Sequence, residues 1–222
     1  MSEIPDEARN ARERLFDAAL EMFSTRGFYG TTTREIASRA GLSPAAMYVH
    51  YRTKEDLLFA ISKTGHEWSL GVVRAAASTS ADPVAQLAAV VHDFTLEHAE
   101  NKARARVVNY ELEALSAEHR SEIVAIRREI EQVFRGVLQA GVKAGSFRVD
   151  NVAMTARAVI ISLGIDTARW FSPGGAWTAE ETACHHAQAA LRMVGFDGDY
   201  GSQAGRPGDI PPRALPVYSR DR

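Results

Sequence analysis

Apolar positions along this chain recur every three to four residues, and no stretch alternates over a strand's length. Leu15, Ala18, Ala19, Met22 and Phe23 form one such stripe, and Gly27 stops it. Thr32 and Glu35 head the run TREIASRA with the spacing of a capping box, in which hydroxyl and carboxylate satisfy orphan amides. Gly41 stands where a left-handed C-cap closes that run. Ser43 then reads as an N-cap, with Pro44 at the first helical position, where a missing N–H costs nothing. In the helix that follows, PAAMYVHY, the spacing places Met47 and Tyr51 inside and Tyr48 and His50 outside.

Thr53, with Asp56 three residues on, starts a longer helix striped by Leu57, Leu58, Ile61, Trp68 and Val72. Asp82 and Pro83 restart a helix through Val90, Val91 and Phe94. The segment 99–109 is charged and poorly periodic, a bend with a short helix. Ile123, Ile130, Val133, Phe134 and Val137 mark a long helix ending near Ala144. Val152, Ala156, Val159, Ile160, Leu163, Thr167 and Trp170 predict one continuous helix that stops at SPGG. Thr178 with Glu181 opens the last helix, which carries Ala183, Ala187, Leu191 and Val194. From Gly195 onward glycine, proline and charge dominate, the composition of a tail without a core. The fold class is all-α.

Composition narrows the function. With 26 Lys and Arg against 28 Asp and Glu the net charge is −2, so the chain is not basic throughout, and any nucleic-acid contact must come from a local patch. Cys184 is the only cysteine, which excludes an intrachain disulfide and fits a reducing compartment. The start, MSEIPDEARNARERL, lacks the apolar core of a secretory signal, and no apolar run approaches the ~18 residues of a membrane span. A soluble, cytoplasmic protein without a membrane partner is expected. No G-x-S-x-G elbow, phosphate-cradling glycine loop or H-E-x-x-H occurs, so no enzyme is expected. Cys184, His185 and His186 are metal-capable, but adjacent helical residues point about 100° apart and share one ion poorly. Neither metal nor cofactor is expected.

Two short helices separated by GLS fit a helix-turn-helix, whose second helix enters the major groove with its N-terminal residues against base edges. Pro44, Ala45 and Ala46 are small enough for close approach, and an alanine methyl can pack on a thymine methyl. Tyr48 and His50 can donate to phosphate oxygens. Thr33 and Arg34 lie in the first turn of the preceding helix, where Arg34 can reach phosphate or guanine, and Lys54 is aimed at the same backbone.

The stretch TTTREIASRAGLSPAAMYVHYRTKEDLL resembles the DNA-binding signature of the tetracycline-repressor (TetR) family of one-component bacterial regulators. The resemblance implies a three-helix DNA-binding domain and a larger helical domain that dimerises and holds a small-molecule inducer. It places Arg34, Ser43, Ala45, Tyr48, His50 and Lys54 at the family's usual DNA-contacting positions. The expected division is an N-terminal arm and DNA-binding domain over 1–52, a ligand-binding and dimerisation domain over 53–195, and a tail over 196–222. The implied homodimer pairs through the last two long helices, where Ala183, Ala187, Ala189 and Ala190 permit close approach.

The inducer cavity is expected among the helices beginning near residues 54, 82, 118 and 150, with His66, Trp68, His92, Phe94, Asn109, Tyr110, Glu113, Arg157 and Trp170 as candidate lining. The run RWFSPGGAWTAEE resembles the corresponding segment of TetR-like regulators of fatty-acid and steroid breakdown, several of which respond to acyl-coenzyme A thioesters. The expected function is therefore a repressor released from a palindromic double-stranded operator by a small-molecule inducer such as an acyl-coenzyme A. The alternative from another class is a helical small-molecule-binding or adaptor protein whose helix-turn-helix is structural.

Overall fold

The computed structural model describes residues 10–198, so the expected tail, from residue 199 on, and the arm before residue 10 lie outside the described residues. The described chain is helical: α1 (Ala11–Arg26), α2 (Thr33–Arg39), α3 (Pro44–His50), α4 (Lys54–Ala77), α5 (Pro83–Glu100), α6 (Lys102–Tyr110), α7 (Ala117–Lys143), α8 (Val152–Ala158), α9 (Thr167–Trp170) and α10 (Ala179–Met193). The predicted caps explain several starts. Thr32 and Thr178 each complete a capping box, with Glu35 and Glu181. Asp82 accepts from the amides of Val84 and Ala85. Thr53 and Asp56 exchange bonds of 2.9 and 3.0 Å at the head of α4.

Packing divides the chain into two compact units. One ends at His66 and takes in Ala103–Val124; the other comprises Glu67–Lys102 and the chain from Ala125 onward. The first unit runs past residue 52 because Leu57, Leu58 and Ile61 of α4 and Val107 of α6 share one core with Leu15, Phe23, Ile36 and Met47. The core of the second unit is built on Leu87, Val90, Val91 and Phe94 of α5, with Phe134, Val159, Ala187 and Leu191 around them.

Two expectations about the last elements change. The alanines assigned to a dimer interface serve the chain's own core instead: Ala183, Ala187 and Ala190 are buried where α10 packs along α5, and small side chains let those two helices come close. The single helix expected up to Trp170 is interrupted by a π-helical stretch, Val159–Ile165, between α8 and α9. There the Asp166 amide reaches back to the Ile161 carbonyl at 2.9 Å. The Leu163 carbonyl takes donors from Thr95 Oγ1 (2.9 Å), Thr167 Oγ1 (3.0 Å) and His186 Nδ1 (2.7 Å). Glycine is required at 164, since a Cβ would stand 2.3 Å from the Phe94 ring. Periodicity alone carries no mark of these three donors from other positions.

Candidate nucleic-acid interface

The site is assembled by backbone chemistry before any side chain reaches outward. At the end of α2 the Ala40 amide bonds the Ile36 carbonyl, Gly41 bonds Ser38 at 3.0 Å, and Leu42 bonds Ala37 at 2.8 Å. This is a Schellman closure, and it needs a left-handed residue at Gly41, whose φ is 67°. Two residues later the Ser43 hydroxyl accepts from the Ala46 amide at 3.2 Å and starts α3. The turn between the helices is thus fixed at both ends by residues of the GLSP stretch.

α3 is anchored by Met47, with no exposed surface, and by the buried Tyr51 that follows the helix. The opposite positions Pro44, Ala45, Tyr48 and Val49, spaced i, i+1, i+4 and i+5, are exposed, with Val49 at 80% and Tyr48 at 52%. The Tyr48 hydroxyl lies 3.3 Å from Thr33 Oγ1, which ties the outer side of α3 to the first turn of α2. Ser43, Arg34 and His50 are also exposed. Six of the expected contact residues therefore remain available to a partner on α2, α3 and the turn between them, and Thr33 is half-buried beside them.

Two nearby arginines are paired within the chain. Arg26 pairs with Glu35 at 3.1 Å, and Arg39 grips Glu21 at 2.8 Å. The Thr32 hydroxyl and amide, with Arg26 beyond them, hold the Glu35 carboxyl below its ordinary pKa.

Lys54 behaves differently from the expectation that it points at a phosphate backbone. Its ammonium donates to the Phe28 and Thr31 carbonyls, each at 2.7 Å, and sits 4.1 Å from the centroid of the Phe28 ring. Burial lowers its pKa. The residue pins the start of α4 to the loop before α2, so its first role is to hold the helices that carry the contact face. In this unit two exposed apolar side chains escaped the sequence reading: Val49, and Tyr29 at 81% exposure. The signal for Val49 was present in its place five residues after Pro44, on the face already assigned outward.

The residues proposed to line an inducer cavity take separate roles. In the first unit His66 is buried with Nδ1 2.8 Å from the Ser62 carbonyl, Asn109 bonds the Ala105 carbonyl of its own helix, and Tyr110 and Glu113 are exposed. In the second, Trp68 is half-buried, and Phe94 is a core residue packed edge-on against Phe134 at 5.5 Å. Arg157 is exposed and 3.6 Å from Glu131, and Trp170 is 47% exposed with its ring 5.9 Å from that of His186. His92 is buried between two carboxylates, Nδ1 2.9 Å from Asp93 and Nε2 3.1 Å from Glu180.

Comparison with known proteins agrees with this architecture. The model of the tetR family of bacterial regulatory proteins matches residues 15–61, and that of the tetracyclin repressor-like C-terminal domain matches residues 80–194. The chain is 30% identical over 193 residues to the HTH-type transcriptional repressor KstR2 of Mycolicibacterium smegmatis, covering 85% of this chain and 93% of that protein. It is 31% identical to KstR2 of Rhodococcus jostii, over 81% of this chain and 89% of the relative. Among solved structures, a bacterial regulatory protein in the tetR family from Rhodococcus RHA1 superposes with a TM-score of 0.81 at 41% identity, over 86% of this chain and all of that one. The fold is also that of AibR, solved with isovaleryl coenzyme A and operator DNA, at a TM-score of 0.74 and 23% identity, over 83% of this chain and 98% of that one. No helix of the described residues is long and apolar enough to cross a membrane. With both family models matched in their expected order along a helical chain that carries a capped helix-turn-helix, the protein belongs to the TetR family of bacterial transcriptional regulators, and is a DNA-binding regulator rather than an enzyme.

Proposed function

We propose that this regulator is a dimeric repressor that binds a palindromic operator through α3 and is released from it by a small acyl-coenzyme A. The observation that carries the DNA-binding half is the outer face of α3, where Pro44, Ala45, Tyr48 and Val49 stand clear of the core while Met47 holds the helix down. Such a face offers methyl and ring edges to the groove floor, and phosphate contacts come from Thr33, Arg34, Ser43, Tyr48 and His50. With few long polar side chains on α3, sequence preference falls on Arg34, on contacts to thymine methyls and on DNA shape.

A palindrome requires two copies with recognition helices one DNA turn apart, about 34–36 Å. Met154, Ile161, Trp170, Trp177 and Met193 are exposed apolar residues on or beside α8–α10, and they are the surface on which a second copy packs in this reading. In it residues 1–52 read DNA and 53–195 pair the copies and hold the ligand. Support for the sign of regulation is that the two KstR2 relatives are repressors, and support for the ligand class is that AibR was solved with isovaleryl coenzyme A.

The test is fluorescence anisotropy of the full chain on the promoter of its own gene, with and without a panel of acyl-coenzyme A esters. A rise in anisotropy at low salt, with an operator affinity that an ester weakens by roughly 5- to 150-fold, is the expected result, the range of ordinary allosteric coupling. A folded dimer that binds no promoter DNA would instead leave the adaptor reading standing. Binding untouched by every ester would remove the ligand assignment alone.

A further inference from the structure

The second unit brings together three metal-capable side chains that the sequence holds far apart. His92 comes from the middle of α5, and Glu180 and Cys184 lie one turn apart on α10. The His92 Nε2 is 3.1 Å from Glu180 Oε1, Cys184 Sγ is 3.8 Å from the same oxygen, and the three donor atoms all lie within 4.8 Å of one another. A tetrahedral ion with bonds of about 2.0–2.3 Å to nitrogen, oxygen and sulfur needs its ligands at such separations.

The imidazole is already oriented for the task. Its Nδ1 is 2.9 Å from Asp93 Oδ1, so an Nδ1–H donated to that carboxylate turns Nε2 toward Glu180, which accepts its proton until an ion takes its place. A carboxylate behind a ligating histidine fixes tautomer and ring angle and raises ligand basicity. The surrounding charge has the sign a cation requires, since the Asp93 and Glu180 carboxylates both lie against the imidazole.

We propose that His92 Nε2, a Glu180 carboxylate oxygen and Cys184 Sγ bind one divalent cation of the zinc class, with a fourth position left to water. The mixed nitrogen, oxygen and sulfur set suits zinc or cobalt(II), and it is too soft for magnesium or calcium. Binding forms a metal–sulfur bond and breaks the S–H bond. Coordination needs the thiolate, so the thiol proton and the imidazole Nε2 proton that Glu180 accepts both pass to the solvent. The ion would tie the first turns of α10 to α5. It uses Cys184 without the neighbouring His185 and His186, so the reason for rejecting that sequential trio does not apply.

Because Cys184 is the only cysteine, a thiolate-to-metal charge-transfer band can come from no other residue. The metal-stripped full chain is titrated with cobalt(II) and then challenged with zinc. One equivalent per chain, with a sulfur-to-cobalt band and the intense visible bands of tetrahedral cobalt, both bleached by zinc, is the expected result. Cys184→Ser should abolish the charge-transfer band. His92→Gln and Glu180→Gln should each weaken binding by tenfold or more, and Asp93→Asn by about 10- to 100-fold. Absence of a charge-transfer band in the parent protein overturns the proposal, as does unchanged cobalt affinity in either the His92 or the Glu180 variant with native circular dichroism. Should the buried His92 variant fail to fold, the exposed Glu180 variant still decides.

Discussion

At the scale of single residues, Lys54 is the place where similarity and geometry assign different tasks. Its ammonium satisfies two carbonyls in the loop before α2, and a charged donor to a neutral acceptor contributes about 1.5–3 kcal/mol. Lys54→Met keeps the stem over the Phe28 ring and removes the charge, so urea unfolding should show a loss of about 1–3 kcal/mol. If the charge serves the fold alone, the salt slope of operator binding stays as in the parent. Arg34→Ala should do the reverse, leaving unfolding within about 0.5 kcal/mol while flattening the slope by about one unit, the value for one lost phosphate contact. Measuring both variants on one operator across a salt series separates a scaffold lysine from a contact arginine. A slope that flattens for Lys54→Met as well would return the residue to the DNA.

Elements show how much of the molecule is legible in order of residues and what is not. Caps act within four residues, so Thr32 with Glu35, Gly41, Ser43 with Pro44, Asp82 with Pro83, and Thr178 with Glu181 all announce their helices. The face of α3 was equally readable, apart from Val49, because Met47 and Tyr51 leave only one side outward. The π-helical stretch was not, since it depends on Thr95 and His186, from α5 and α10, meeting the Leu163 carbonyl. Nor was the inward face of the α10 alanines, because small residues suit close packing against any neighbour.

Two predictions belong at this scale. Gly164→Ala forces a methyl into the Phe94 ring and should cost about 1–3 kcal/mol, read by thermal or urea unfolding. Thr32 and Thr178 hold Glu35 and Glu181 below their ordinary pKa of 4.5, each carboxyl bonded by its threonine's hydroxyl and amide. A depressed folded pKa means the unfolded chain binds the proton more readily, so this stabilisation is complete above pH 4.5 and is lost as pH falls through the folded values. Unfolding followed from pH 6 down to pH 3 should therefore show a shallower loss in a Glu35→Gln, Glu181→Gln double variant than in the parent.

For the whole molecule, function in the proposed reading depends on a second copy, which docks on apolar surface that the chain leaves uncovered. The small residues of α10 are committed to α5, so the pairing surface must be supplied by larger side chains. Met154 is 70% exposed and Met193 46% exposed, both beyond what an isolated apolar side chain needs to explain and both on the last elements with Ile161, Trp170 and Trp177. A stable dimer buries roughly 800 Å² on each partner with its centre depleted of charge. Placing a carboxylate there should break the pair without harming either chain, because neither methionine is among the buried core residues. The double variant Met154→Glu, Met193→Glu should therefore sediment as a folded monomer. One copy engages one half-site, and loss of the linked second contact lowers affinity by about 10²- to 10⁴-fold. Operator affinity of the monomer should fall by that order while its affinity for an isolated half-site is unchanged. A variant that stays dimeric would move the pairing surface off these helices, and a monomer that keeps full operator affinity would remove the need for a palindrome.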